Sequence, residues 1–422
     1  MKRYLITTLF LFAAVSLPAR SQDLNRYIER AAEHNPELKA SFHRYLASLE
    51  KLPQVNTLPD PELAFGYFVS PIETRVGPQQ ARLGLTQMFP WFGTLETRRD
   101  KASYTAKMQF EQFQEVRNRV YYRVKDTWYR LFETRRAIDI IDENIAILES
   151  FESLTLQRLE TAQASQVDVL RVQIELEELR TRRAHLQDLL KTVQQEMLEL
   201  IGAPGDSTVE PPGEIDIASL EETEEHLRRQ VMQQNPGLNR LEFQARAAGS
   251  AVKLARKSGS PSFGLGIDYI VTGERDLALE DNGRDAVMAR AAIKIPLYRK
   301  KYNALEKQTE MQLSAAEEDR AAYQNQLVTR FEQAYRRYLD AERRYELYDQ
   351  KQIQRTRQAI DILVANYSAG EADFEEILRL QRKLLDFQLA RVEAAAGIST
   401  SVAFIDYLSG ANNMEPEAIN RR

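Results

Sequence analysis

The motif Asn35-Pro36-Glu37-Leu38 recurs as Asn235-Pro236-Gly237-Leu238, an offset of 200 residues, and this recurrence decides how the rest of the chain is interpreted. A single recurrence of this kind would carry little weight, but five in the same order indicate an internal duplication. The other four, over which the offset drifts to 208, are Pro61 with Pro261, Phe89-Pro90 with Ile295-Pro296, Arg123 and Trp128 with Arg330 and Tyr335, and Val169-Leu170 and Gln173 with Ile377-Leu378 and Gln381.

Each half has the same predicted order, which is helix, strand, loop, strand and then a very long helical stretch. Segments rich in Gly and Pro interrupt regular structure, and 202–213 is such a segment. It contains Gly202, Pro204, Gly205, Pro211, Pro212 and Gly213. The predicted organisation is a signal peptide at 1–22, a first structural repeat at 23–201, a linker at 202–220, a second structural repeat at 221–410 and a C-terminal tail at 411–422.

Four segments alternate apolar with polar or small residues at a period of two, which predicts β-strands. They lie at about 62–70, 80–89, 261–271 and 286–296, the length of tilted strands that cross a bilayer. In the third, one face carries Phe263, Leu265, Ile267, Tyr269 and Val271, and the other carries Ser262, Gly264, Gly266 and Asp268. The segments 70–78 and 272–285 are polar and predict loops.

A soluble sheet with one buried face has the same alternation, but no helical segment between these strands is apolar enough to cover it. A barrel with a wet interior explains both faces. Four strands cannot close a barrel, because the smallest have about eight, and an open edge in lipid leaves backbone groups unpaired. The chain must therefore oligomerise. Three copies leave room for a channel, whereas eight strands from two copies would fill their own interior.

Three segments, 94–201, 297–369 and 371–396, contain neither Gly nor Pro and are rich in helix-forming residues. We expect them to reverse direction at 160–165 and 367–373, so that the helix from Thr94 would be about 100 Å long. The predicted fold is mainly α with a transmembrane β part. Two apolar series recur at helical spacing: Ile138, Ile141, Ile145 and Leu148, and Leu170, Ile174, Leu176, Leu179 and Leu186.

The first 22 residues predict a secretory signal peptide, with Lys2 and Arg3 before the apolar run 4–17 and small residues at the cleavage site. A membrane anchor is the alternative, but the run is shorter than the ~20 residues that a span needs. The sequence has no cysteine, which excludes disulfides, thiolate metal sites and a lipid-modified N-terminal cysteine. Without residues 1–22 the chain has 54 Lys and Arg against 62 Asp and Glu, which disfavours nucleic-acid binding.

Several motifs stand out in both halves or at their corners: the two Asn-Pro pairs, Pro59-Asp60-Pro61-Glu62-Leu63, Gln87-Met88-Phe89-Pro90-Trp91-Phe92-Gly93, and Tyr367-Ser368-Ala369-Gly370 followed by Ile377, Leu378 and Gln381. In the order, spacing and duplication of these motifs, the chain resembles the TolC family of outer-membrane efflux proteins. The resemblance implies a homotrimer with a 12-stranded β-barrel in outer-membrane lipid and an α-helical tunnel, docked to a periplasmic adaptor protein and an inner-membrane pump of the resistance-nodulation-division type. The entry to the first strand resembles the heavy-metal and cation efflux branch.

Three groups of candidate site residues follow. Acidic residues at the tip would form rings in a trimer and select cations; this predicted gate comprises Asp168, Asp373, Glu376 and Arg379. The predicted adaptor-docking turn comprises Tyr367, Ala369, Gly370 and Ala162, with Ala162 in the first half at the place of Gly370. The predicted membrane-interface corner comprises Phe89, Pro90, Trp91, Phe92 and Pro296. A solvated helix face and ordinary packing are the alternatives for the tip and the corner.

Catalysis is not expected, and we predict no catalytic, cofactor or metal site. The four histidines, His34, His43, His185 and His226, are scattered, and no phosphate-binding loop or nucleophile motif occurs. The predicted function is the outer-membrane channel of a tripartite efflux pump, a passive exit duct for drugs or metal cations. The alternative is a periplasmic adaptor or structural coiled-coil protein, although an adaptor would carry one helical hairpin flanked by compact β domains. The cargo stays open.

Overall fold

The computed structural model describes residues 20–203, 208–276 and 280–411. The mainly α fold with four strands is confirmed. Most of the predicted signal peptide, residues Pro204 and Gly205 of the predicted linker, and the tail from residue 412 lie outside the described residues. The elements are α1 (Arg20–His34), α2 (Pro36–Leu49), α3 (Lys51–Val55), β1 (Glu62–Thr74), β2 (Gly77–Phe89), α4 (Thr94–Glu160), α5 (Gln166–Leu200), α6 (Glu224–Gln234), α7 (Pro236–Ser258), β3 (Ser262–Thr272), β4 (Ala286–Lys294), α8 (Arg299–Leu347), α9 (Ile353–Ala369) and α10 (Phe374–Ser409).

The chain divides into two compact units that do not coincide with its two halves. Among the described residues, the helical unit comprises those up to residue 39 together with 117–233 and 329–411, and the sheet unit comprises 40–116 and 234–328. Each unit therefore takes a segment from both halves of the sequence. None of the helices in the described ranges is both long and apolar enough to cross a membrane.

The duplicated Asn-Pro motif begins a helix in each half. The side-chain oxygens of Asn35 and Asn235 each accept a hydrogen bond from the backbone N–H three residues later, at 3.0 Å in both cases. The proline that follows takes the first helical position, where a missing N–H costs nothing. In addition, the amide of Asn35 donates to the carbonyl oxygen of Leu200 at 2.9 Å. The repeated residues thus fix the same local structure twice.

The four strands form one antiparallel sheet in the order β1-β2-β3-β4. Its register aligns Leu63, Leu85 and Ile267 in a row across three strands. The side chains of this row are 67%, 51% and 61% exposed. A soluble sheet would bury such a face, so that alternative is wrong for the isolated chain, and something outside the chain must cover these residues.

The opposite face of the sheet is polar and tightly packed. Asp268 is fully buried and lies 2.7 Å from Arg82 and 3.7 Å from Arg290. The neighbouring Gly84 leaves room for this carboxylate, because a Cβ there would lie 2.4 Å from its Oδ1. Gly84 therefore makes space on this face for a charged side chain of the adjacent strand.

The first hairpin is tighter than predicted, and the predicted loop at 70–78 is wrong. Strand β1 continues to Thr74, and only two residues separate it from Gly77. The pairing of β1 with β2 is irregular between Tyr67 and Ile72. This irregularity accommodates Pro71, which an edge strand tolerates because its N–H side needs no partner.

The long helices form two antiparallel hairpins. In the first, Arg183 and Arg180 of α5 pair with Asp142 and Glu149 of α4 at 2.8 Å and 3.1 Å. The reversals that we expected at 160–165 and 367–373 are confirmed, since α4 ends at Glu160 and α9 at Ala369. Helix α4 has 67 residues, which corresponds to about 100 Å.

The second hairpin contains a π-helical turn that the first lacks. Residues Tyr348–Gln352 form this turn between α8 and α9, so that the three segments make one continuous helix. Two contacts with α10 hold it: Tyr348 stacks on Phe387 with ring centroids 5.5 Å apart, and Asp349 pairs with Arg391 at 3.0 Å.

The two apolar series both lie on helices, as predicted, but they differ in burial. Ile138, Ile141, Ile145 and Leu148 are all buried. On α5, however, Leu170 and Ile174 are 50% and 65% exposed. The buried stripe of α5 is instead Val169, Val172, Leu176 and Leu179, which repeats at alternating spacings of three and four. Helix α5 therefore has two adjacent apolar stripes, and its own chain covers one.

A buried polar cluster joins α4 to α10 in the helical unit. The side-chain oxygen of Asn144 accepts from Gln381 at 2.9 Å, and its amide donates to the carbonyl oxygen of Ile140 at 2.7 Å and to Gln388 at 3.3 Å. All three side chains are buried. Because the cluster is satisfied in one alignment of the two helices, it favours that register.

We expect the substitution Asn144→Leu to lower the free energy of unfolding of the helical unit by about 2 kcal/mol, because it leaves two buried glutamine amides without their partner. Hydrogen exchange along α4 and α10, measured by mass spectrometry, reports this change. The exposed Gln187 on α5 provides the control, since Gln187→Leu should change stability by no more than about 0.5 kcal/mol. Equal protection in the two variants would contradict the role of the cluster.

Candidate functional site

The two turns at the ends of the hairpins have the same backbone structure. Each turn contains a left-handed residue: Ala162, two positions after the end of α4, has φ of +59°, and Gly370, directly after the end of α9, has φ of +82°. The N–H of this residue donates to the carbonyl three residues earlier, and the next N–H donates to the carbonyl five residues earlier, at 2.8 to 3.0 Å. This is the Schellman arrangement, which usually places glycine at the left-handed position. The correspondence between Ala162 and Gly370 is confirmed.

Because a left-handed conformation costs a residue with a Cβ roughly 1 kcal/mol, we expect Ala162→Gly to stabilise the first turn. Protection from hydrogen exchange at residues 158–168 should rise about fivefold. The reverse change, Gly370→Ala, should lower protection at the second turn by a similar factor. No steric contact complicates this control, since a Cβ added at Gly370 would have nothing within 4 Å.

Two of the predicted gate carboxylates cap helices. Asp168 and Ser165 form a capping box at the start of α5, with hydrogen bonds of 3.1 Å and 3.3 Å between each side chain and the other's backbone N–H. Asp373 begins α10 and accepts from the N–H of Glu375 at 3.0 Å. The carboxylates of Asp168 and Asp373 therefore stabilise helix N-termini. Any role of these two residues in a gate would be a second role.

The other two predicted gate residues form a pair on one helix. Glu376 and Arg379 of α10 lie 3.1 Å apart, and both side chains are largely exposed. Exposed pairs of this kind contribute little to stability. They are therefore free to interact with something outside the chain, and their place in a lumen stays a prediction.

Arg158, which no sequence pattern indicated, joins the first hairpin to the second turn. From the last turn of α4 it donates to the carbonyl oxygens of Tyr367 and Ser368 at 2.7 Å and 2.8 Å. Its guanidinium also lies 4.4 Å from the ring centroid of Tyr367. A cation is favourable at a helix C-terminus and over an aromatic ring, so Arg158 stabilises the end of α9 from another helix.

Tyr367 packs inside the tip. Only 5% of it is exposed, and its ring lies 5.3 Å from Phe374, which in turn contacts Phe151 edge-on at 5.9 Å. Tyr367 therefore holds the second turn from within. The other residues of the predicted adaptor-docking turn, Ala162, Ala369 and Gly370, are all exposed.

Ion pairs between α5 and α10 make a second connection near the tip. Arg171 lies 3.0 Å from Glu375, and Arg382 lies 3.1 Å from Glu175. Each pair joins residues about 200 positions apart in the sequence. The sequence shows only that α5 and α10 both carry charged residues of both signs. It does not indicate which of these residues pair.

The predicted membrane-interface corner is an aromatic cluster at the end of the sheet. Phe89 ends β2 and Pro90 interrupts the strand. Trp91 stacks on Phe263 of β3 with centroids 5.9 Å apart, and Phe92 contacts Trp91 at 5.7 Å while its own side chain is exposed. Aromatic side chains at strand ends suit a bilayer boundary.

The end of β4 adds residues that were not among the predicted ones. Pro296 is buried, whereas Leu297 and Tyr298, which follow it, are highly exposed. Their position just before α8 matches that of Phe92 just before α4. The aromatic pattern at the strand-to-helix corner is thus present in both halves.

Comparisons with known proteins agree with this geometry. The family described as outer membrane efflux protein matches residues 227–411. No curated protein matches the sequence. Among solved structures, the outer membrane protein VceC of Vibrio cholerae is 18% identical, with a TM-score of 0.77 over 92% of this chain and 96% of that one.

Two further channels have the same fold. The Campylobacter jejuni CmeC outer membrane channel is 14% identical, with a TM-score of 0.74 over 95% of this chain and 88% of that chain. The Neisseria gonorrhoeae MtrE outer membrane channel, solved in its open state, is 14% identical, with a TM-score of 0.75 over 92% and 89%. Residues 227–411 match the model of the outer membrane efflux protein family, and nearly all of the chain has the fold of these channels.

Proposed function

We propose that the chain assembles as a homotrimer, in which three sheets close into a 12-stranded β-barrel and the long helices continue it as a tunnel. The chain is an outer-membrane efflux channel with a large periplasmic portion, and it is not an enzyme. The structure of the sheet is the main support for the trimer. Its apolar face is exposed and its edge strands, β1 and β4, each pair on one side only. Joining β1 of one copy to β4 of the next removes the unpaired edges that lipid does not tolerate.

The exposed stripe of α5 supports assembly in the periplasmic portion. Val167, Leu170 and Ile174 lie at helical spacings of three and four, and all three are exposed in the single chain. Adjacent apolar side chains of this kind mark a protein interface, and a second copy of the chain is the partner that a trimer supplies.

Cysteine pairs can test the trimer, because the chain has no cysteine of its own. A cysteine at Phe65 on β1 would be combined with one at Val287, Ala289, Ala291 or Ile293 along β4. We expect one combination to give a disulfide-linked trimer on a non-reducing gel. Each single-cysteine variant is the control. Only monomers in every combination would contradict the proposed closure of the barrel.

We further propose that the tip docks a periplasmic adaptor protein, and through it an inner-membrane pump of the resistance-nodulation-division type. Support comes from the small, exposed residues of the two turns. Nothing lies within 4 Å of a Cβ built at Gly370, so a partner can approach the backbone closely. In intact cells, a photocrosslinker on a cysteine at Ala369 should capture the adaptor, whereas one at the exposed Gln187 should not. Capture of peptidoglycan components alone would favour the structural coiled-coil alternative.

The tip would also act as the gate. We assign Asp168, Asp373, Glu376 and Arg379 to the gate itself, and Arg158 and Arg171 to the contacts between hairpins that keep it closed. In planar bilayers, Glu376→Gln should reduce selectivity for cations, because three carboxylates would leave the ring. Glu177, an exposed carboxylate on α5, is the matched control, and Glu177→Gln should leave selectivity unchanged. Equal effects would place Glu376 outside the lumen.

The two structural repeats, 23–201 and 221–410, remain part of this proposal. Matching helix caps at Asn35 and Asn235, and matching turns at Ala162 and Gly370, support the duplication. Each repeat supplies two strands and one helical hairpin. Three chains would therefore contribute six similar units, whose strands form the barrel and whose hairpins form the tunnel.

A further inference from the structure

A cavity of about 690 Å³ lies in the sheet unit, beside the corners where β2 and β4 end. Met88, Ser262 and Lys294 line it from the strands, and the rest of its wall comes from helices α4, α7 and α8 and from segments that connect helices to strands. Its charged lining residues are all cations, namely Arg98, Lys101, Lys257 and Lys294, and none of its lining residues is a carboxylate.

A second cavity of about 570 Å³ shares three lining residues with the first, Arg98, Lys101 and Leu254. It adds one more cation, Lys51, and again no carboxylate lines it. The whole chain carries a net charge of −5, so five cations around two neighbouring cavities are a local reversal of its charge. Such a concentration of one sign attracts counter-ions.

These cations lack carboxylate partners in the described part of the chain. Lys257 donates to the carbonyl oxygen of Phe92 at 3.0 Å, and Lys51 donates to the side-chain oxygen of Gln54 at 3.1 Å. Arg98, Lys101 and Lys294 form no ion pair there. Elsewhere most arginines are paired, as Arg256 is with Glu306 and Glu310, so the absence of acids around this cavity is local.

Thr94 supplies an independent sign of a ligand. It lines the cavity and is 5% exposed, yet its hydroxyl has no hydrogen-bond partner among the described residues. Thr94 is also the first residue of α4, where backbone N–H groups and the helix dipole favour a negative charge. A buried hydroxyl without a partner costs free energy, and an acceptor bound in the cavity would remove that cost.

The remaining lining residues are largely apolar, among them Trp91, Leu254, Ile295, Tyr302 and Leu305. The volume lies in the range of cavities that hold drug-sized molecules. We propose that this cavity binds an amphiphilic organic anion, with its carboxylate, sulfonate or phosphate near Thr94, Lys101 and Lys294 and its apolar part against Trp91 and Leu254. The anion is either a cargo molecule or an anionic lipid, and the first case rests on the proposed channel function.

Trp91 provides the test, because the chain has only two tryptophans. In the full chain with Trp128→Phe, purified in a neutral detergent, the tryptophan fluorescence would be titrated with 4-nitrobenzoate, an anionic quencher. We expect saturable quenching, and none with the cation 4-nitrobenzyltrimethylammonium. The double variant Lys101→Gln and Lys294→Gln should bind at least about tenfold more weakly. Lys300→Gln, which lies outside the cavity lining, is the control.

Two further measurements are needed. One identifies the source of the anion, and the other checks the affinity without relying on fluorescence. Displacement of the quencher by dihexanoyl phosphatidylglycerol, but not by dihexanoyl phosphatidylcholine, would support a lipid ligand, and no displacement by either would support a soluble anionic cargo. Calorimetric titration of the chain with both tryptophans should give the same affinity. Quenching that does not saturate, or that is equal in the double variant, overturns the site. Because the size of the assembly is measured in the same sample, loss of binding in an intact trimer refutes the cavity proposal alone.

Discussion

The substitution Phe65→Arg should prevent the chain from forming a stable assembly in the outer membrane, whereas Ala64→Arg in the same strand should not. Phe65 lies on the apolar face of the sheet and is 74% exposed in the single chain. A cation on the lipid-facing side of a strand costs about 2–4 kcal/mol near the middle of the bilayer, and a trimer would bear this cost three times. Ala64 lies on the other face, opposite Gly84 and beside the buried Asp268, where an arginine can remain solvated or paired.

The two variants carry the same new residue, arginine, at adjacent positions of one strand. Their expression and strand propensity should therefore be closely matched. The measurement is the amount of chain that fractionates with the outer membrane and that migrates as a heat-modifiable assembly after extraction in detergent. We expect a nearly complete loss for Phe65→Arg and an amount close to that of the unmodified chain for Ala64→Arg. The opposite result would mean that the faces of the sheet have been assigned the wrong way round.

The substitution Glu111→Gln should abolish part of the pH dependence of stability. Burial between α4 and α7 raises the pKa of Glu111 to about 7, and a hydrogen bond from Asn239 opposes this shift. Between pH 4.5 and 7 the folded chain holds a proton that the unfolded chain has lost, so stability falls as the pH rises through this window. The total loss is at most about 3 kcal/mol. Glutamine is neutral throughout, so the variant should be the more stable protein at pH 8 and similar at pH 4.

Thermal unfolding followed by circular dichroism at pH 4, 6 and 8 measures the effect as a difference between the two proteins. Glu115, one turn further along α4, is the control, because it is paired with Arg240 at 3.2 Å. Glu115→Gln removes a pairing partner and should lower stability at pH 8, where Glu111→Gln should raise it. If Glu111→Gln also lost stability at pH 8, the Glu111 carboxylate would be stabilised rather than penalised by folding, its pKa would not be raised, and the predicted window would not exist.

Local sequence patterns determined much of the fold in advance. Alternation of Leu63, Phe65 and Tyr67 with smaller residues predicted a strand with one apolar face, and Gly370 predicted a helix end. Both depend on interactions within a few residues, where side-chain direction and backbone preference act directly. The strand-to-helix corner at Pro90 was predictable for the same reason, since proline cannot continue the ladder.

Other features depend on partners that are distant in the sequence. Arg158 and Tyr367 are 209 residues apart, and nothing near either residue indicates the other. On α5, periodicity alone did not distinguish the stripe with Val169 and Leu176 from the adjacent stripe with Leu170 and Ile174, because both are apolar at helical spacing. Which stripe is buried depends on where α4 and α10 lie, and that is a property of the tertiary structure.

The π-helical turn at Tyr348–Gln352 has an evolutionary consequence. From Trp128 to Ala162 the first half advances 34 positions, but from the corresponding Tyr335 to Gly370 the second half advances 35. A π-turn accommodates one additional residue in a helix, so this turn accounts for a one-residue insertion in the second half relative to the first. Without it, the insertion would have rotated the distal helix by about 100° and turned its apolar stripe away from α10. Loss of a single codon within 348–352 should consequently be tolerated, because it restores the spacing of the first half, whereas the same loss in the uninterrupted α4 should not.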